Sequence, residues 1–308
     1  MIIGIDVGGT NVRIGSVGRA CSLQGPCEVV SSKHFCMADH PIEEFGNIIL
    51  KYIKKHEISK VDAISIGVPA TVKTDFRTIY VAPNLKNAEG KPIFDHKNLA
   101  AELEERFQCS VYINKDVNNL LYYDVYKNQM DGIVAGCYIG TGIGSAVIIN
   151  GNLLYGKNGV AMDMGHVSLF RDNENCSCGK RGCAETRGSG KALMKMWENY
   201  YSEYSINEIF TIYGQEKRIR QFISDCAHIP AIMAATFNPK YMVCGGGVIE
   251  MQDFPRRFFE EEILRQTTPA VASFPPTFFY SEKQEERGVI GAAYFAEMMR
   301  KNSNKNKK

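Results

Sequence analysis

Between positions 163 and 186 the chain reads DMGHVSLFRDNENCSCGKRGCAET. Cys176, Cys178 and Cys183 form C-x-C-x4-C, and His166 stands ten residues before the first of them. Three thiolates and one imidazole make a closed tetrahedral set of the kind that holds structural Zn²⁺, with no position left open for a reacting water. The C-x-C pair is tighter than the usual C-x2-C. This quartet has the chemistry to hold a fold, not to catalyse.

Three glycine-rich turns offer a different chemistry: DVGGT at 6–10, GTGIG at 140–144 and GGGV at 245–248. Each ends an apolar run. Without a Cβ the backbone can approach a ligand closely, and successive N–H groups in such turns suit a polyphosphate. None fits the P-loop pattern or the dinucleotide fingerprint. Asp116, in INKDVNN, sits where a strand passes into a helix. It can cap that helix, and it can also take a proton from a hydroxyl.

The elements that must carry these residues follow from periodicity. IIGIDV, GGTN and VRIGSVG read as strand, turn and strand, with CEVVSSKHF as a third antiparallel strand. PIEEFGNIILKYIKKH places Ile42, Phe45, Ile49 and Ile53 near helical spacing, with cationic residues at its C-terminal end. VDAISIGV is a buried strand, LAAELEERF a helix, SVYI a strand and DVNNLLYYDVYKN a helix beginning at Asp116. GIVAGCYIG, TGIG and SAVIINGNLLYG then repeat the opening plan with little identity. In SGKALMKMWENYYSEY, Leu193, Met196, Trp197, Tyr200 and Tyr204 form an apolar face expected to pack into the core. A long polar helix over about 221–237, the strand YMVC before the last glycine turn, and a final helix from about Gly288 complete the reading.

With 308 residues, 44% of them hydrophobic, the chain is expected to form two lobes, because single cores split beyond about 250–300 residues. Its 36 basic and 34 acidic residues leave a net charge of +2, and no single-sign field marks a nucleic-acid partner. No run approaches the roughly 20 apolar residues of a membrane span. MIIGIDVGG has no basic leader or signal-peptide run, so a cytoplasmic, reducing setting is expected, where clustered Cys reads as metal ligation. Cys21, Cys27, Cys36, Cys109, Cys137, Cys226 and Cys244 then read as small apolar residues.

The order D-x-G-G-T, Asp at a strand-to-helix junction, G-T-G-x-G and G-G-G resembles the superfamily of sugar kinases, heat-shock ATPases and actin. Within it, the chain resembles the ROK family of bacterial sugar kinases and repressors, from Ile3 to about Ala296. The resemblance implies an α/β fold of two ribonuclease-H-like (actin-like ATPase) lobes with a cleft between them. The smaller lobe would be 1–115 with about 288–302, and the larger 116–287, with 303–308 a disordered tail. ATP and Mg²⁺ are the implied cofactors, a hexose the substrate and a homodimer the assembly. By resemblance Gly8, Gly9 and Thr10 face the β- and γ-phosphates and Asp6 helps hold hydrated Mg²⁺. Gly140, Thr141, Gly142 and Gly144 take the far phosphate side, and Gly245, Gly246 and Gly247 the adenosine side. Asp116 is the implied catalytic base. GH…CxCGxxGCxE is similar to the family's zinc signature, so His166, Cys176, Cys178 and Cys183 would hold Zn²⁺, while Asp163, His166 and Glu185 contact the sugar.

The departures from the family pattern concern the sugar. Asp163 stands where the family has Glu, Lys115-Asp116 where most members have Asn-Asp, and Pro69-Ala70 where Pro-Gly is usual; Asn84 of the P-N-L element is retained. Lysine only donates hydrogen bonds, whereas an amide donates and accepts. Lys115, Ala70 and Asn84 are therefore expected to read middle hydroxyls arranged differently from those of glucose. These features resemble allose-phosphorylating members, making D-allose the expected substrate, with glucose or N-acetylmannosamine as alternatives. Repressors of the family carry a winged helix before the first phosphate motif, whereas Asp6 here closely follows Met1. Intact Asp6, Thr10, Thr141 and Asp116 speak against a noncatalytic sensor.

Overall fold

Short β-branched runs ending at glycine turns become strands, and amphipathic runs after them become helices, in the computed structural model, which describes residues 1–18, 21–170 and 174–305. Ile2–Val7 (β1) and Asn11–Val17 (β2) flank the first turn. They are followed by Glu28–Ser31 (β3), Lys33–Cys36 (α1), Pro41–Lys55 (α2), Ala63–Val68 (β4), Thr71–Val72 (β5), Ile79–Val81 (β6), Leu99–Phe107 (α3), Ser110–Lys115 (β7) and Asp116–Lys127 (α4). Then come Ile133–Ile139 (β8), Ile143–Ile149 (β9), Asn152–Leu153 (β10), Gly190–Tyr200 (α5), Ile209–Tyr213 (α6), Lys217–Cys226 (α7) and His228–Phe237 (α8). Tyr241–Gly245 (β11), Arg256–Arg265 (α9), Pro269–Ser273 (α10), Thr277–Tyr280 (β12) and Arg287–Lys305 (α11) end the chain.

The first of two units holds Met1–Lys127, Tyr155–Ala161 and the chain from Gln284 onward. Its sheet has the order β3-β2-β1-β4-β7, antiparallel through the first three strands and parallel from β1 to β7. Every residue of β4 is buried, as expected of a central parallel strand. The sequence reading ends this lobe at 115, but α4 lies within the unit, because α11 packs along it: Tyr122 stacks on Phe295, and the Tyr126 ring lies tilted 4.7 Å from that of Tyr294. Tyr155 likewise joins this unit, 4.7 Å from the Phe76 ring. Helix α11 continues to Lys305, where a structureless tail is expected from 303; positions 306–308 lie outside the described residues. The expected third strand CEVVSSKHF stops at Ser31. Ser32 then turns the chain so that Phe35 enters the core against Phe45 and Phe94, at 5.1 and 5.8 Å.

The second unit comprises Asn128–Leu154 and Met162–Lys283, with sheet order β10-β9-β8-β11-β12. Hairpin β8–β9 is antiparallel and β8, β11 and β12 run parallel, so the plan of the first sheet recurs through the whole sheet. The expected single helix over 221–237 is two helices, α7 and α8. Pro230 cannot donate to an intrahelical bond and is tolerated only in the first turn, so a new helix starts at His228; its buried face is apolar, not polar. The aromatic face of α5 also differs from expectation. Leu193 is buried, but Tyr200 and Tyr204 are 60% and 50% exposed, Tyr200 lying under Arg218 and Tyr204 beside Tyr213. Among the lone cysteines, Cys21, Cys36, Cys137, Cys226 and Cys244 are buried and Cys27 and Cys109 half-buried. No helix among the described residues is long and apolar enough to cross a membrane.

Candidate active site

In the first unit the β1–β2 turn is fixed from below. Gly8 N–H donates to Asn11 O at 2.8 Å, Ser32 N–H to Thr10 O at 2.8 Å, and Ser32 Oγ to Gly8 O at 2.6 Å. Ser32 is 1% exposed, and this turn-holding role is not legible in its own sequence neighbourhood. Thr10 and Gly9 remain exposed, and a Cβ at Gly9 would meet no protein atom within 4 Å. The turn therefore leaves open the space that a phosphate would need.

Asp6 ends β1 just before this turn. Burial pushes its carboxyl above the ordinary range, an effect partly offset by Arg13 and Arg287. A cation can relieve a carboxylate desolvated in this way. The N-terminal turn of α11 comes so close that a Cβ at Gly288 would lie 2.6 Å from Asp6 Cγ. Glycine is therefore required at 288. We expect Gly288→Ala to displace Asp6 or α11, to destabilise the fold by about 1–3 kcal/mol, and to raise the Mg²⁺ concentration needed for turnover. A magnesium titration alongside a thermal melt checks this, and unchanged values in both would place Asp6 elsewhere.

Asp116 occupies the junction of β7 and α4, two strands from Asp6 across β4. Its Oδ1 accepts the Val117 N–H at 2.8 Å, so the capping and general-base readings coexist. Burial first, then the neighbouring Asp6 charge, pushes Asp116 up to about 7, against the opposing pull of the Val117 N–H and Lys115. A base poised near neutrality is suited to taking a hydroxyl proton. Between the two aspartates Gly67 of β4 has no room for a side chain, since a Cβ would lie 2.7 Å from Asn119 Nδ2 and 3.5 Å from Asp116 Cα. Glycine inside the buried strand AISIGV was the sequence signal for this close approach.

Asn114, 1% exposed, locks the junction. It donates to Asn119 Oδ1 at 2.9 Å and accepts from Lys115 N–H and Asn118 Nδ2, each at 2.9 Å. Sequence reading missed it because only its partners' positions in three dimensions identify it. The remaining first-unit sugar candidates differ in setting. Lys115 is half-buried at the end of β7, Asn84 is exposed in a turn, and Ala70 is 7% exposed with its methyl in the hydrophobic core.

In the second unit Gly140 donates to Gly142 O at 3.0 Å and closes the β8–β9 turn. The start of α5 abuts it, with Gly190 N–H donating to Gly140 O at 2.7 Å. A Cβ at Gly140 would meet nothing within 4 Å, whereas one at Gly142 would lie 2.6 Å from Glu185 Oε2. The turn thus has an open side and a side touching a sugar candidate. Gly144 lies within β9, opposite Tyr138, and not in the turn. Gly246 has φ +91°, a left-handed conformation suited to glycine, and its N–H donates to Glu250 Oε1 at 3.0 Å. Gly247 is open in the same way as Gly140, but the Cβ site of Gly245 is filled by Ser281 and Tyr138. Gly245 serves strand packing.

The quartet His166, Cys176, Cys178 and Cys183 converges, with donor atoms all within 4.8 Å of one another. Cys178 Sγ is 3.6 Å from Cys183 Sγ, and Cys176 Sγ is 3.4 Å from His166 Nδ1. Tetrahedral zinc, with bonds of about 2.3 Å to sulfur and about 2.0 Å to nitrogen, requires ligand separations of this size. The residues fit the ion. Nδ1 faces the cysteines and leaves Nε2 for another partner. A small hairpin holds the cysteines: Cys176 N–H donates to Lys180 O at 2.8 Å, and Ala184 N–H to Val167 O at 2.9 Å. Glu185 reaches back to the quartet, its Oε1 accepting from Cys176 Sγ at 3.1 Å. Asp163 is exposed at the start of the helical turn Met164–His166, where its carbonyl accepts the His166 N–H at 3.2 Å.

Two sheets of one topology, each opened by a glycine hairpin, with an aspartate at a strand-to-helix junction of the first, define the α/β class with the actin-like ATPase fold. The ROK family pattern matches residues 2–299, and the chain belongs to the ROK family. A glucokinase of Halalkalibacterium halodurans is 26% identical over 317 residues, covering 95% of this chain and 93% of that protein. An N-acetyl-D-glucosamine kinase of Pectobacterium carotovorum subsp. carotovorum is 27% identical over 267 residues, covering 80% and 84%. Among solved structures, a ROK family glucokinase from Streptomyces griseus in complex with glucose and AMPPNP matches with a TM-score of 0.77 at 23% identity. That match covers 96% of this chain and 99% of the other, and it establishes the fold.

Proposed function

We propose that this protein phosphorylates a hexose at its 6-hydroxyl with ATP, and that D-allose is its preferred substrate. The observation that carries the reading is the pair Asp6 and Asp116 on one sheet, the second raised to about 7 beside the first. Asp116 takes the proton of the attacking hydroxyl. In the first unit Asp6, with Thr10 and the N–H groups of Gly8 and Gly9, orients the phosphate chain; in the second, Gly140, Thr141 and Gly142 take phosphate and Gly246 and Gly247 the nucleoside. Mg²⁺ held near Asp6 supplies neutralisation of phosphate charge. Little covalent work is asked of the protein, because phosphoryl transfer depends on alignment and electrostatics.

In the second unit Asp163, His166 and Glu185 are the sugar contacts, beside the quartet that would hold zinc; in the first unit the sugar contacts are Lys115 and Asn84. Support for the hexose class comes from the relatives that phosphorylate glucose and N-acetylglucosamine. The same relatives favour a second reading, a glucokinase or N-acetylhexosamine kinase. Lys115 in place of an amide separates the readings, since a site built to pair particular hydroxyls rejects the wrong epimer strongly. In a coupled ADP-release assay with ATP, kcat/KM for D-allose is expected to exceed that for D-glucose, N-acetylglucosamine and N-acetylmannosamine by at least about 10-fold. A higher value for glucose removes the allose assignment and leaves the kinase. No turnover with any hexose removes the kinase.

A further inference from the structure

We propose that Tyr155 is a positioning residue for the phosphoryl transfer, holding through Asn114 the β7–α4 junction that presents Lys115 and Asp116. The proposal rests on the kinase reading above. Asn114 is 1% exposed, and its side-chain amide has two donor hydrogens and an oxygen that accepts twice. Three of these capacities are used inside the junction. Oδ1 accepts from Lys115 N–H and from Asn118 Nδ2, and Nδ2 donates to Asn119 Oδ1, each at 2.9 Å. The remaining N–H of Nδ2 meets the Tyr155 hydroxyl, from a segment far along the chain that belongs to the same unit. That bond is the one that ties the amide to something outside the junction.

The direction of each bond follows from the groups. An amide N–H can only donate, so the Tyr155 oxygen accepts from Asn114, and its own proton is free for the Tyr122 hydroxyl 3.3 Å away. The ring of Tyr155 is seated independently of its hydroxyl. It lies edge-on to Phe76 with centroids 4.7 Å apart, and Phe76 in turn meets Phe295 of α11 at 5.2 Å. Phe76 has φ +55°, a conformation that a bulky residue keeps only where its surroundings enforce it, and its carbonyl accepts the N–H of Ile113, next to Asn114. The stretch after Tyr155 is seated closely as well: Gly159 has φ +78°, and a Cβ there would overlap the Val72 carbonyl oxygen of β5. Loss of the hydroxyl alone would therefore keep the ring in place and strip one partner from an amide that water does not reach. An unmatched buried donor is costly, and the amide can relieve it only by turning, which withdraws Oδ1 from the Lys115 N–H. That N–H belongs to the residue directly before Asp116. Displacing a reacting group by about 1 Å can cost about 100-fold in rate.

The test uses the full-length protein and the variants Tyr155→Phe, Tyr122→Phe, Asn114→Ala and the double variant of Asn114→Ala with Tyr155→Phe. Each is assayed with ATP and the hexose the parent phosphorylates best, well below its own melting temperature. Tyr155→Phe is expected to lower kcat about 10-fold or more while leaving KM for ATP and the affinity for AMPPNP within about threefold. Tyr122→Phe leaves the Tyr155 oxygen in place for Asn114 and should keep kcat within about threefold of the parent. In Asn114→Ala the partner of the hydroxyl is already gone, so adding Tyr155→Phe should lower kcat by less than about twofold more. If Asn114→Ala fails to fold, the contrast between the two tyrosine variants decides alone. A Tyr155→Phe kcat within about threefold of the parent overturns the proposal, whatever its melting temperature, and so do equal losses in both tyrosine variants or additive losses in the double variant. The two readings fail separately. A parent that phosphorylates no hexose removes the kinase reading and the positioning role with it, and an active parent indifferent to Tyr155→Phe removes the positioning role alone.

Discussion

Asp116→Asn is expected to lower kcat for sugar phosphorylation by about 10²–10⁴-fold, the range for removing a positioned general base. Asparagine is isosteric and its Oδ1 can still accept the Val117 N–H, so the junction of β7 and α4 should persist. In the parent, kcat/KM should fall as pH drops through about 7, the value to which burial and Asp6 raise the Asp116 carboxyl, because the protonated form cannot accept the hydroxyl proton. Stability should respond in the opposite sense. An aspartate in the unfolded chain ionises near 3.8, so between there and about 7 the folded state binds more protons and the parent loses stability as pH rises. The charged carboxylate then costs the fold on the order of a few kcal/mol at pH 8. Asp116→Asn should therefore melt above the parent at pH 8 and match it near pH 4. A variant that keeps its rate within tenfold, or a parent without an acid limb, would remove Asp116 from the chemistry.

Removing the zinc proposed for the quartet is expected to have the other large effect. One zinc per chain should be found by elemental analysis of purified protein. Cys183→Ser should abolish that stoichiometry, because Cys183 is fully buried and a neutral hydroxyl does not replace a thiolate ligand. Structural zinc contributes about 10–16 kcal/mol of apparent binding free energy in small domains, so the hairpin carrying His166 and Glu185 should lose its order. We expect kcat/KM for the hexose to fall at least about 100-fold, chiefly through KM, while AMPPNP affinity changes little. A chelator should inactivate the parent slowly, with recovery on adding Zn²⁺ but not Mg²⁺. A fully active protein with well below one zinc per chain would show that the quartet stands without the ion.

The parts of this site that can be read from the chain are those whose members are close along it. Each glycine turn is a few consecutive residues, the quartet spans 166 to 183, and Asp116 begins a helix directly after a strand. Ser32, Gly288 and Asn114 were not readable in that way. Ser32 acts on a turn at 8–10, and Gly288 is needed because α11 returns from the far end of the chain to meet Asp6. Gly245 illustrates the converse. Its place in G-G-G suggests an open turn, yet Ser281 and Tyr138 occupy the space beside it.

The sequence by itself determined which donor atoms are on offer: three thiols and an imidazole, two aspartates, and glycine turns with approachable N–H groups. These are properties of residue type and short-range spacing, and they survive any arrangement of the rest. Tertiary structure alone decided which of those atoms meet. Sheet order brings Asp6 and Asp116 to either side of Gly67, and α11 returns from the far end of the chain to set Gly288 against Asp6. Burial and proximity set the Asp116 carboxyl near 7, and both depend on contacts between segments that are distant in the chain.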